Sequence, residues 1–281
     1  MMSKRIHIVL LVLLLCKVHA IAQDIIFTAE DSIFIENILK RHIEKRYPTS
    51  GDAISAIANE FIGQSYIAGT LENNNEALFI SCSKLDCTTF VETVISIYAA
   101  IKEQKTSFAS VCQEIEKIRY RNGVRNGYTT RLHYVSWWID DNKELVEEIV
   151  TKEHTAVQHL NLNYMSTHPE NYPKLKENPQ LRSVIANFET PYQGVEVKYI
   201  PKENISKLND EVVHDGDIIA IVTAIEGLDI SHLGFARWHG DELHMIHASS
   251  PKKEVTDDSE PLYNYLKKRK NHLGIRVIRI L

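Results

Sequence analysis

The sequence predicts an α+β protein in which helices from the first part of the chain pack on an antiparallel sheet built from the last part. Three observations carry this. Apolar residues recur at helical spacing between Glu30 and Tyr98, and strand-like runs take over after Asp215. The 281 residues, 44% hydrophobic and 25% charged, suffice to bury one large core, so a single domain with elaborations is expected.

The N-terminus, "MMSKRIHIVLLVLLLCKVHAIAQ", has a basic start at Lys4 and Arg5, an apolar run from Ile8 to Leu15, and Ala20 and Ala22 in a small-residue cleavage pattern. Residues 1–22 therefore read as a secretory signal peptide, and residues 23–281 as the mature domain, periplasmic or secreted. Acylation at Cys16 is disfavoured, because the preceding Leu15 is bulky where such sites take a small side chain. No later segment is apolar enough for a membrane helix. Losing Lys4, Arg5 and Lys17 with the leader moves the formal charge from −5 to −8, which excludes nucleic acid as an expected partner. Nothing in the sequence fixes the oligomeric state; a monomer is the expectation.

Phe34, Ile38, Leu39 and Ile43 give a first amphipathic helix between Glu30 and Tyr47. The stretch "GDAISAIANEFIGQSY" gives a second, with Asp52 as N-cap, Ile54, Ile57, Ala58, Phe61 and Ile62 on one face, and Gly63 as the stop. After an irregular "ENNNE" comes a third, carrying Val91, Val94, Ile95 and Tyr98 on one face and Cys87 at its start. From about 120 to 210 the pattern loosens and five of the eight prolines fall there, so a long, partly irregular insertion is expected. Strands return in "DGDIIAIVTA", "SHLGFARW" and "ELHMIHAS". Then "EPLYNYLKKRKNHLG" reads as a helix ending at Gly274, and "IRVIRIL" as a closing strand. The basic run from Lys267 to Lys270 fits a last helical turn.

Only Cys82, Cys87 and Cys112 survive loss of the leader, an odd number in an oxidising compartment, so at least one thiol stays unpaired within the chain. A bridge between Cys82 and Cys112 is left open, and burial of both as small apolar side chains is the simpler reading. Cys87 differs, because "LDCTTFVE" puts it at a helix N-terminus, where unpaired N–H groups and the helix dipole stabilise negative charge. Asp86, just before it, is expected to cap the helix.

A nucleophilic thiol needs a base. In "SHLGFARWHGDELHMIHAS", a His239-Gly240 turn sets His232 directly opposite His247, and a Gly240-Asp241 turn shifts the register by two while keeping both on one face. Parity sends His244 to the other face, and His244 and His239 read as surface residues. His232 and His247 thus suit a base and its orienting partner. The same parity disfavours a zinc site at "HMIH".

These residues carry a resemblance. "LDCTTFVE", followed by "GDIIAIV", "HLGFA" and "MIHAS", resembles the NlpC-type papain-like cysteine peptidases of bacterial cell walls, and "GQSY" looks like their Gly-x-x-Tyr. More narrowly, "YRNGVRNGYTTRLHYVSWWID" together with "LDCTTFVE" resembles the N-acetylmuramoyl-L-alanine amidase-like family. The resemblance implies a papain-like NlpC-type core with a single catalytic domain and no cofactor or metal. It implies a substrate among peptidoglycan fragments, and a cut between the muramic lactyl group and L-alanine. It further implies Cys87 as nucleophile, held as thiolate by His232, with His247 orienting the imidazole and Tyr66 beside the nucleophile as an oxyanion donor. The long spacing from Cys87 to His232 departs from compact members.

In "TTRLHYVSWW", Arg131 and His133 are the expected substrate contacts. Arg131 would clamp a peptide carboxylate, while Tyr134, Trp137 or Trp138 would wall a subsite; core aromatics are the plainer alternative. Two other functions share the sequence features: a D-glutamyl-diamino acid endopeptidase using the same machinery, and a wall-binding module without turnover.

Overall fold

The computed structural model describes residues 25–72, 76–151 and 153–281. The expected leader, with Cys16 and the cleavage site near Ala22, lies outside the described residues. Strand β1 (Ile25–Ile26) is followed by helices α1 (Ala29–His42) and α2 (Ser50–Asn59). Next come β2 (Leu78–Phe79), parallel to β1, and helices α3 (Cys87–Lys102) and α4 (Phe108–Arg119). Capping boxes start α1, α2 and α3. In α2 the N-cap is Thr49, and Asp52, expected in that role, is its partner three residues on. Helix α4 has no counterpart in the sequence reading, although Val111, Cys112, Ile115 and Ile118 are buried at helical spacing.

Residues 120–210 hold more regular structure than an irregular insertion would. They form α5 (Val135–Asp141), β3 (Val146–Ile149), β4 (Ala156–Asn161), α6 (Tyr164–Thr167), α7 (Pro173–Glu177), α8 (Pro179–Glu189) and β5 (Gln193–Pro201). Two of the prolines start helices, where a missing N–H breaks no intrahelical bond. The expected strands follow as β6 (Ile218–Thr223), β7 (Ile230–His239) and β8 (Glu242–Ser249). Beyond them lie β9 (Glu254–Asp257), α9 (Leu262–Lys267) and β10 (His272–Ile280).

Among the described residues the main sheet has eight strands, in the order β4-β5-β10-β6-β7-β8-β9 with β3 also on β10, and its pairings are antiparallel. Strand β6 is buried throughout because it serves two cores. Ile218, Ala220 and Val222 join the cluster built with α1 to α4, while Ile219 and Ile221 join Leu262, Tyr265 and Leu266 from α9. Gly274 does not end a helix. It lies in β10 opposite Pro201, where a Cβ would stand 2.0 Å from the Ile200 carbonyl oxygen. The close strand approach, not helix termination, explains that glycine.

The hairpin β7–β8 turns at Gly240-Asp241, since His239 pairs with Glu242. Gly240 has φ 62° at the first central position, where a type II′ turn needs positive φ. His232 and His247 are therefore diagonal neighbours on one face rather than directly opposed. The ladder ends at Phe235 and Ile246, after which β8 continues on β9 and β7 on β6.

Candidate active site

Cys87 is the first residue of α3 and is half-buried. Asp86 caps the helix: its Oδ1 accepts from the Thr89 N–H at 2.8 Å, and the Thr89 Oγ1 accepts from the Asp86 N–H at 2.9 Å. Burial first, and the Asp86 charge second, push the Cys87 thiol up to about 11, against donation from the Leu233 amide and from the Thr88 amide and hydroxyl. The amide of Leu233 belongs to the stretch of β7 that has separated from β8, so the thiol fits against the freed strand.

The residue before Leu233 is His232, half-buried, whose Nε2 lies 2.6 Å from His247 Nδ1. Gly234 makes this diagonal contact possible. It stands one residue beyond the last ladder pair, opposite His247, and a Cβ there would approach the His247 Cβ to 2.8 Å and the Met245 Sδ to 2.7 Å. An absent side chain lets the His247 imidazole lean across to His232.

His247 is fully buried, and its Nε2 lies 3.2 Å from Asp258 Oδ2. The other carboxylate oxygen of Asp258 accepts from Lys252 Nζ at 2.9 Å and from the Glu260 amide at 3.0 Å. Burial would raise the Asp258 pKa, but the hydrogen bonds from His247, the Glu260 amide and Lys252 outweigh it and hold the carboxyl well below the usual range. An ionised Asp258 only accepts hydrogen bonds. A neutral His247 then carries its proton on Nε2, leaving Nδ1 to accept from His232 Nε2–H. His232 Nδ1 is consequently the unprotonated nitrogen, ready to take a proton.

Burial, with His247, His272 and Arg269 adding to it, lowers the His232 pKa well below its ordinary value. The raised thiol and the lowered imidazole are both shifted towards the uncharged form, and burial is the first cause of each.

Tyr66 lies near Cys87. Its segment pairs with Leu85 just ahead of Asp86, and burial first, with the Cys87 side chain second, raises its phenol pKa, against a hydrogen bond with Ser250. Tyr265 was missed. Its ring meets His232 at 6.4 Å and His247 edge-on at 5.7 Å. Asp258 and Lys252 were missed as well. His244 does face away from His247 but is not a surface residue: it is 4% exposed and its Nδ1 lies 2.8 Å from the Asp258 carbonyl oxygen, which anchors the loop bearing the carboxylate. His239 is exposed, as expected.

The remaining expectations divide. His133 is half-buried and lines a cavity of about 40 Å³ with Leu132, Trp138, Leu233 and Thr88, the residue after Cys87. Arg131 is no carboxylate clamp. It is 4% exposed, and its guanidinium donates to Glu72 Oε1 at 2.7 Å and to the Leu71 carbonyl oxygen at 2.5 Å, with Glu76 at 3.4 Å. Protein carboxylates already occupy it. Tyr134 is likewise internal, donating to Glu189 at 2.7 Å and accepting from the Met165 amide at 2.9 Å. Trp137 and Trp138 belong to the core. Cys82 and Cys112 are free, buried thiols, so no bridge joins them.

Among the described residues no helix is long and apolar enough to cross a membrane. A family model described as AmiA-like, N-acetylmuramoyl-L-alanine amidase-like, matches residues 56–275. No curated protein matches the chain. Among solved structures, an N-acetylmuramoyl-L-alanine amidase from Bacteroides uniformis is 34% identical, with a TM-score of 0.78 over 83% of this chain and 99% of that one. A Bacteroides fragilis protein described as a candidate xylanase is 40% identical, with a TM-score of 0.73 over 80% and 99% of the two chains. A Legionella pneumophila protein, 24% identical with a TM-score of 0.64 over 90% and 95%, shares the fold.

Proposed function

From the premise that the chain belongs to the N-acetylmuramoyl-L-alanine amidase-like family, we propose that it is a cysteine-dependent amidase that cuts the bond between the muramic lactyl group and L-alanine in peptidoglycan fragments. The observation that carries the mechanism is the run of contacts from Asp258 through His247 to His232, which leaves His232 Nδ1 bare. We read the helix, the splayed strands and this relay as a papain-like NlpC-type core in one catalytic domain. The leader supports a periplasmic or secreted enzyme.

In the proposed reaction His232 Nδ1 takes the Cys87 proton as Sγ attacks the amide carbonyl carbon. The Cys87 N–H, in a first helical turn without intrahelical acceptors, and the Tyr66 hydroxyl donate to the oxyanion. Collapse breaks the C–N bond, and the leaving amine takes the proton from His232. Water then attacks the thioester carbonyl carbon, giving its proton to His232, which returns it to the departing Cys87 sulfur. His247 and Asp258 hold the imidazole's tautomer throughout.

The Bacteroides fragilis description raises glycoside hydrolysis as a second chemistry. That reaction needs two carboxyl groups flanking the bond. Near Cys87, Asp86 serves the helix cap and Asp258 serves His247, so neither is placed for it.

Mass analysis of defined muropeptides before and after digestion tests the proposal. A free stem peptide with an L-alanine amino terminus, plus a peptide-free muramyl sugar, is expected. An L-alanyl-D-glutamyl sugar product would instead assign the D-glutamyl endopeptidase cut, cleaved glycan would assign a glycosidase, and no turnover would leave a binding module.

A further inference from the structure

With Arg131 engaged by Glu72 and Glu76, a different cation is needed wherever an acidic peptide meets this site. A groove of about 470 Å³ opens beside the relay, lined by Ser249, Lys252, Asp258, Tyr265, Lys268 and Arg269, among others. Its charges are mostly spoken for. Lys252 binds Asp258 at 2.9 Å, and Lys268 pairs with Glu260. Arg269 is the exception among these cations, with no ion-pair partner among the described side chains. Its Nη1 donates to the Tyr265 carbonyl oxygen at 2.9 Å, and its guanidinium carbon lies 3.8 Å from the centroid of the Tyr265 ring.

That stacking holds the guanidinium plane still while leaving donors on its edge, the geometry that binds a carboxylate with two parallel hydrogen bonds. The same Tyr265 ring borders His232 and His247, so an anion on Arg269 is adjacent to the reacting centre. We propose that Arg269 anchors a carboxylate of the substrate peptide in this groove, so that the enzyme selects acidic stem peptides over their carboxamide forms. Resting on the amidase reading for the substrate class, the assignment is independent of which bond is cut.

Arg269 already bears on its neighbours. Its charge contributes to the lowered pKa of His232 and of His272, which places it within electrostatic reach of the base. An anion bound to Arg269 would relieve that effect and raise the basicity of His232 when substrate is present.

The test is binding, measured by calorimetry on the Cys87→Ala protein with a disaccharide-tetrapeptide and with the same compound converted to carboxamides. The parent protein should bind the acid 10- to 100-fold more tightly than the amide, corresponding to about 1.4–2.7 kcal/mol. Adding Arg269→Ala should collapse that ratio to near one, and Arg269→Lys should retain part of it. Thermal melts and near-UV spectra on each variant identify any that fails to fold, in which case Arg269→Gln replaces it. An unchanged acid-to-amide ratio in the folded Ala or Gln variant overturns the assignment. Equal binding of both compounds by the parent overturns it too. Failure of the amidase reading shows separately, as the wrong product in the muropeptide digest.

Discussion

Replacing Asp258 by Asn keeps the side chain's shape and removes its charge, and both orientations of the new amide fail. If the amide oxygen stays on His247 Nε2–H, the amide nitrogen faces two donors, Lys252 Nζ at 2.9 Å and the Glu260 amide at 3.0 Å. If the amide flips, its nitrogen donates to His247 Nε2 and drives the proton to Nδ1, which lies 2.6 Å from His232 Nε2. His232 must then move its own proton to Nδ1, where it can no longer accept from Cys87. A hydrogen bond to a charged group is worth about 1.5–3 kcal/mol. At 1.36 kcal/mol per tenfold, Asp258→Asn should lower kcat/KM roughly 10- to 150-fold. The assay is muropeptide hydrolysis under kcat/KM conditions, with a melt to show that the protein is folded. The same carboxylate contributes acid stability: its folded pKa is depressed, so its contribution is present above the ordinary value of about 3.9 and is lost as pH falls towards the folded value. The variant's stability should therefore flatten on the acid limb. Wild-type kcat/KM in a folded Asp258→Asn protein would refute the tautomer argument.

Three further outcomes are expected. Cys87→Ala and Cys87→Ser should abolish hydrolysis while melting near the parent temperature, whereas Cys112→Ala, in a buried helix face remote from the relay, should keep activity; turnover by the Cys87 variants would end the thioester mechanism. His232→Ala should lose at least as much kcat/KM as His247→Ala, because the first moves the proton and the second orients it, and His244→Ala should show a smaller loss through the Asp258 loop; activity assays on the three proteins set the order. Arg131→Ala should act on stability, stranding Glu72 and Glu76 at a cost of about 3 kcal/mol and a melting temperature lower by roughly 6–12 °C. A raised KM at unchanged melting temperature would restore the clamp.

The positions of Cys87, His232 and His247 were legible because local rules place them, namely a capped helix start, strand parity and a turn, whereas Tyr66 came from the likeness of "GQSY" to a family motif. Parity survived even though the hairpin register differed by two, since both registers keep the two histidines on one face. Asp258 and Tyr265 were not legible. They come from a loop and a short helix that reach the site by tertiary packing, and neither carries a periodic signal. Arg131 misled for a related reason. A cation among aromatics reads as a ligand contact, and its partners Glu72 and Glu76 lie in an irregular stretch some 60 residues away in the chain, for which the sequence offers no pairing rule. Gly274 shows the same limit, because a glycine at the end of a basic run fits a helix stop until the neighbouring strand is known to crowd it.

The order of the parts along the chain has a consequence for timing. Cys87 emerges early in synthesis, on a helix whose own face can begin to pack on α1, α2 and α4. His232, His247 and Asp258, the proposed base and its orienting partners, all follow the insertion, so on the proposed mechanism the newly made thiol waits without an acceptor for its proton. Until β7 and β8 dock, it has the modest reactivity of any protonated cysteine near neutral pH. An enzyme with the proposed mechanism is thus assembled unarmed, and completion of the sheet is the event that arms it.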